Sequence, residues 1–227
     1  MATSLQVTQF RTANQQLVQL ARTDLNLFWA ALNVDGNPLL VKAALLDFFP
    51  ELMSVYSDTA AILGADFYDS LRDVPASASA FRAIIAAPTD PEIASAGARW
   101  ALGPLFQTEP DAGQVLANLS NVAQRLVLQA GRDTIANSTF RDPVRTGYAR
   151  VPTGASTCKF CVMLASRGAV FGSAASAGAE GNTYHGDCDC VPTPVRSRGD
   201  LPDGYDPKEF ERLFQLGSGV GRDIPTD

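Results

Sequence analysis

Four cysteines and the only histidine of this chain crowd into one short stretch. Cys158, Cys161, His185, Cys188 and Cys190 fall within 33 of the 227 residues, and the 157 residues before them contain neither type. Thiols used as scattered core hydrophobes would not cluster in this way. The pattern reads C-x2-C, then 23 residues, then H-x2-C-x-C. The start, MATSLQVTQFRTANQQ, lacks the basic and apolar stretches of a secretory signal. The expectation is a reducing compartment, where thiols stay reduced or hold metal. A C-x2-C turn sets two thiolates on one side of a knuckle, and a distant His/Cys group can complete a tetrahedral zinc shell.

Five candidates compete for four positions. Cys188 and Cys190 are two apart, so on an extended segment they share a face but lie well separated along it. Both can ligate only if the backbone turns between them. The preferred set is Cys158, Cys161, His185 and one of Cys188 or Cys190, holding a structural Zn2+. An all-cysteine set with His185 behind it is the main variant. Two disulfides, or plain buried thiols, are the competing readings.

The rest of the chain predicts an α+β fold, mostly α. A helical region over 1–142 precedes a small irregular α/β module over 143–196, stapled by the Cys/His zinc site, and a polar tail over 197–227 with one short helix. In the first region Phe10, Ala13, Leu17, Leu20, Leu27 and Ala31 mark a long amphipathic helix. Asn37-Pro38 starts the next, with Pro in its first turn. Pro50 either kinks that helix or begins a third, running through Tyr56 and Leu63 to about Leu71. Asp73 to Ser79 reads as a break, followed by a short segment from Phe81 to Ile85. Asp90-Pro91 and Glu109-Pro110-Asp111 open two more helices. After Pro143, Gly and Ser rise. Tyr148 to Pro152 reads as extended, Cys158 to Arg167 as a short helix ending at Gly168, and 172–183 as a flexible loop. Tyr184 to Val195 is extended again, with Pro192 and Pro194 suiting a sheet edge. The tail helix is expected from Pro207 to Leu216.

Composition narrows the function classes. The chain is 46% apolar and 19% charged, too hydrophobic for disorder throughout. No run of 18 apolar residues is present, so no membrane partner is expected. A net charge of −6 argues against a general nucleic-acid coat. Locally, Arg141, Arg145, Arg150, Lys159 and Arg167 face a single acid, Asp142, between residues 141 and 168. Arg145, Arg150, Lys159 and Arg167 are therefore candidates for contact with phosphate or an acidic partner, against the plainer reading of a solvated face. The residues do not favour an enzyme. Any triad or Cys-His pair must use His185, which sits where a metal ligand is wanted, and Lys42, Lys159 and Lys208 lack a recognisable nucleophile context. No Walker loop, GxGxxG or HExxH occurs.

The stretch TGYARVPTGASTCKFCVMLASRGAVF, followed by TYHGDCDCVPTPV, resembles the motif of phage head-morphogenesis proteins. This is the minor capsid family named after the F protein of phage Mu, in its actinobacteriophage form. Arg150, Cys158, Cys161, Leu164, His185, Cys188 and Cys190 match its positions, and ADFYDSLR from Ala65 to Arg72 is similar too. The resemblance implies a low-copy protein of the phage head that associates with the portal during procapsid assembly in the host cytoplasm. It also allows a place inside the capsid near the portal, with scaffold, major capsid protein or packaged DNA as further contacts. Relatives are often labelled capsid maturation protease, which is the alternative function. A zinc knuckle that binds nucleic acid through Arg145, Arg150, Lys159 and Arg167 is a weaker one.

Overall fold

In the computed structural model, the residues described are 2–72, 80–144, 146–154, 156–173, 184, 188, 190–217 and 223–225. The fold is mostly helical with small sheets. Helices α1 (Ser4–Ala31), α2 (Pro38–Ser70), α3 (Pro91–Ala101) and α4 (Ala112–Arg141) come first. Strands β1 (Gly147–Val151) and β2 (Ser156–Cys158), helix α5 (Lys159–Ser166), strand β3 (Val191–Val195), helix α6 (Pro207–Leu216) and strand β4 (Asp223–Pro225) follow. β1 pairs antiparallel with β3, placing Arg150 opposite Pro192, and β2 pairs antiparallel with β4. The two prolines of β3 sit in a two-stranded ladder, which leaves an edge free of the demand for their missing N–H groups.

Local chemistry sets the helix starts. Thr3 and Gln6 form a reciprocal capping box on α1. Asn37, Asp90 and Asp111 cap α2, α3 and α4, accepting from Leu39 N–H, Glu92 N–H and Gln114 N–H. Pro38 and Pro91 occupy first turns, where no N–H is needed. Pro50 behaves differently from a helix start: α2 continues through it as one helix of 33 residues, so no separate third helix forms. Pro50 is buried, and tertiary packing of α2 on α4 outweighs its lost hydrogen bond. The apolar stripe of α1 also differs from expectation. Phe10, Leu17, Val18, Ala21 and Leu25 face the core, while Leu20 and Leu27 are more than half exposed.

α2 and α4 form the spine. Their backbones touch where a Cβ on Gly64 would lie 2.6 Å from the Gly131 carbonyl oxygen, and one on Gly131 would lie 2.6 Å from that of Ala60. The segment 80–90 lies extended along the pair, with side chains standing in for a strand partner. Ala83 N–H donates to Asp69, Ile84 N–H to Ser138 Oγ, Ala86 N–H to Thr134 Oγ1 and Thr89 N–H to Ser57 Oγ, all at 2.7–2.9 Å. The expected break from Asp73 to Ser79 lies outside the described residues.

Two large apolar cores stand out among the described residues. One lies within the four long helices, around Leu25, Leu45, Phe49, Met53 and Leu119. The second joins helical and C-terminal parts: Phe10, Phe67, Tyr68 and Ile135 pack with Val151, Val162, Val191 and Phe210. Phe10 stacks on Phe67 at 4.3 Å between ring centroids. At this seam Asp142, just past α4, receives both Arg72 Nε (2.7 Å) and Nη2 (3.0 Å), the Tyr68 hydroxyl (3.0 Å) and Val144 N–H (2.9 Å). Burial alone would raise its carboxyl, but these donors outweigh burial and hold it below the ordinary carboxylate range.

Asp142→Asn should cost about 3 kcal/mol, because it leaves a buried guanidinium without its charge partner. The wild-type contribution is fully present above the unfolded carboxyl pKa of about 4 and is lost as pH falls through the lower folded value. Urea titrations of both proteins between pH 3 and 7 check this: their midpoints should converge at the acid end. Gly131→Ala should cost about 1–3 kcal/mol by forcing α2 and α4 apart.

Candidate metal centre

The C-x2-C turn is built as a helix start. Cys158 ends β2 in an extended conformation and caps α5, its Sγ accepting from Cys161 N–H at 3.3 Å. Cys161 then lies in the first turn of α5, fully buried. Gly168, just beyond the helix, takes φ +70°, the left-handed conformation that lets the chain turn toward β1 and Phe171. Cys188 and Cys190 lead into β3, which β1 anchors.

These elements bring Cys161, Cys188 and Cys190 together, with every Sγ within 4.8 Å of the others and all three buried. Cys161 Sγ and Cys188 Sγ are 3.3 Å apart. Cys158 packs against this group from a half-buried position. All four cysteines are free thiols. Sulfurs on a tetrahedral zinc, with Zn–S near 2.3 Å, sit about 3.8 Å from one another, so the spacing suits a shared metal. Cys188 and Cys190 both reach the cluster, where an extended segment would have separated them. His185 and Arg145 lie outside the described residues, as does most of the loop expected over 172–183.

Arg150 does not serve the role that its charge suggested. It is fully buried, so contact with phosphate or a partner surface is closed to it. Its Nη2 lies 3.7 Å from Cys188 Sγ and 4.0 Å from Cys161 Sγ, and its guanidinium stacks 3.6 Å from the centroid of Tyr184. Arg132 of α4 covers the opposite approach to that ring at 3.8 Å and donates Nη2 to the Cys188 carbonyl at 2.9 Å. Arg132 and Tyr184 are the residues that sequence reasoning missed. Nothing in the periodicity of α4 separates Arg132 from a solvated arginine. Lys159 is half-buried, its ammonium 5.7 Å from the Phe214 ring, and Arg167 is exposed.

The electrostatics follow from this geometry. The Cys188 thiol is drawn well below its ordinary value, because the Cys161 and Cys190 thiols donate to it and both guanidiniums are near. Cys161 is pushed up by its hydrogen bonds to Cys158, Cys188 and Cys190, and Cys190 by burial. A proton shared unequally among crowded sulfurs is what a cation would replace. Three buried cysteines this close together can bind a metal ion.

A bundle of long helices carrying a thiol-lined centre on a two-stranded sheet is the class of protein defined here. Residues 1–216 match the family described as VG15 protein, and the chain belongs to that family. It is similar to the "Gene 15 protein" of Mycobacterium phage D29, 30% identical over 206 aligned positions, covering 77% of this chain and 73% of that one. It is also similar to the "Gene 15 protein" of Mycobacterium phage L5, 34% identical over 137 positions, covering 53% of this chain and 42% of that one. The family is thus a phage protein family. No solved structure matches the chain.

Arg150→Met should destabilise the protein by about 2–4 kcal/mol, since it removes the buried charge facing the sulfurs and the cation over Tyr184. Arg150→Lys should recover little, because an ammonium lacks the planar face. Guanidinium chloride unfolding distinguishes these cases: a Lys variant as stable as wild type would show that charge alone matters.

Proposed function

We propose that this chain is a minor capsid protein of the phage head, similar to the family of the Mu F protein, that associates with the portal during procapsid assembly. The match of residues 1–216 to a phage protein family carries the reading. The motif from Arg150 to Cys190 supports it. So do exposed apolar side chains on the helical region. Leu39 and Leu40 are 64% and 69% exposed at the start of α2, and Lys42 in the next turn holds its ammonium 5.9 Å from the half-exposed Phe106 ring. Apolar side chains left in solvent beside one another suit a partner surface. Scaffold and major capsid protein are further candidate partners, with packaged DNA a third. No described helix is long and apolar enough to cross a membrane. The assembly site is the host cytoplasm, and the final place is the capsid interior near the portal.

The centre holds a structural zinc in this reading, with Cys158 or His185 as fourth ligand beside Cys161, Cys188 and Cys190. Its role is to fasten the Gly- and Ser-rich C-terminal part, where burial alone would struggle to offset ordering entropy. A structural zinc contributes on the order of 10 kcal/mol to such folding. Thiolate ligands and the buried arginines describe a closed site. No specific observation favours the protease reading, and the burial of Arg150 weakens the nucleic-acid one.

Three measurements test this. Full-length protein co-expressed with the portal of its own phage should co-purify with it, and Leu39→Asp with Leu40→Asp should abolish retention without shifting the melting temperature. Scaffold and major capsid protein should stay intact on incubation with it. Failure of the wild type to co-purify, or specific cleavage lost on changing one Ser, overturns the assignment. Elemental analysis should find about one zinc per chain, lost in Cys161→Ser. A metal-free wild type with two disulfides would end the zinc reading.

A further inference from the structure

Beside the thiol centre, α1, α4 and the approach to β3 enclose a cleft of about 350 Å3, within the size range of small-molecule sites. Three arginines line it: Arg11 and Arg22 from α1, and Arg132 from α4. Arg11 and Arg22 are eleven residues apart, three helical turns, so both project from one face. Among the described residues no acidic side chain lines the cleft. Arg132 is 94% buried, given its 6% exposure, and its Nη1 has no hydrogen-bond partner. Arg22 Nε is likewise buried without one, while its Nη2 is held on Gln124 Oε1 at 2.6 Å. Gln124 precedes Arg132 by eight residues, about 12 Å along α4. The unsatisfied donors therefore stand toward opposite ends of the cleft.

A buried guanidinium N–H left without an acceptor is costly, and water or a neutral ligand answers it less well than an oxyanion does. Between the arginines the wall carries amides, Gln15 and Gln19 among them, and the apolar side chains of Phe10 and Leu128. We infer that the cleft binds a small phosphate ester of nucleotide size. The guanidinium at one end of the cleft holds its phosphate in the bidentate manner a planar fork allows, the guanidinium at the other end donates to an acceptor on the base, the amides meet polar edges and the apolar side chains meet a flat face. The cleft adjoins the thiol centre, since Cys188 and Cys190 also line it, but the inference rests neither on the assembly reading nor on a bound metal.

Isothermal titration of the full-length protein, as purified, tests the inference with the four deoxynucleoside 5′-monophosphates. At least one should bind, deoxyadenosine without phosphate should bind at least 30-fold more weakly than its monophosphate, and citrate should not compete. Arg11→Gln and Arg22→Gln should each weaken binding at least tenfold with an unchanged melting temperature. Arg132 is left intact because it also braces Cys188. Absence of binding by every monophosphate, equal binding of the nucleoside, or wild-type affinity in both variants overturns the proposal. So does citrate binding as tightly as the monophosphates, or binding by a short DNA strand alone.

Discussion

A guanidinium with no access to water stands at the centre of the C-terminal half. Arg150 carries its charge into the half of the chain where Tyr148, Leu164 and Phe171 are also buried, and such a charge persists only if its surroundings answer it. The ring of Tyr184 and the sulfurs of Cys161 and Cys188 do so. β1 supplies the charge, and α5 and the approach to β3 supply parts of that answer, so their relative positions are set together. Arg132 extends the arrangement to α4, because one side chain both stacks on Tyr184 and holds the Cys188 carbonyl.

The helical part and the thiol centre are consequently one mechanical object at two places. The first is Arg132. The second is the seam around Asp142, where the end of α4 meets Tyr68 of α2 and Arg72 just beyond that helix. Between them the second apolar core takes residues from α1, α2, α4, both strands of the first sheet and α6. A metal ion at the sulfurs would thus stiffen more than a knuckle. Its effect would reach the long helices through contacts that are already buried.

The cleft shared by α1, α4 and the Cys188–Cys190 segment belongs to the same geometry. Packing α1 on α4 leaves a gap next to the sheet, and polar side chains share its walls with apolar ones. Apolar filling would have added stability, so arginines kept there, with no carboxylate among the described lining residues, suit the external anion inferred above.

Much was legible from residue order alone, because it depends on neighbours in the chain. Caps at Asn37, Asp90 and Asp111, the helix begun by the C-x2-C turn and ended at Gly168, and the tail helix from Pro207 are local effects of hydrogen bonding and backbone geometry. The clustering of cysteines likewise announced a thiol centre, since its spacing is itself the signal. Partners distant in sequence were not legible. Whether Pro50 ends a helix was decided by the packing of α2 against α4, and which stripe of α1 is buried by what lies opposite it. The fate of Arg150 and Arg132 was decided the same way: an arginine reads as a surface charge until a ring and sulfurs from other segments surround it. Propensity and capping act over about one turn, whereas the burial of a charge is a property of everything that closes around it.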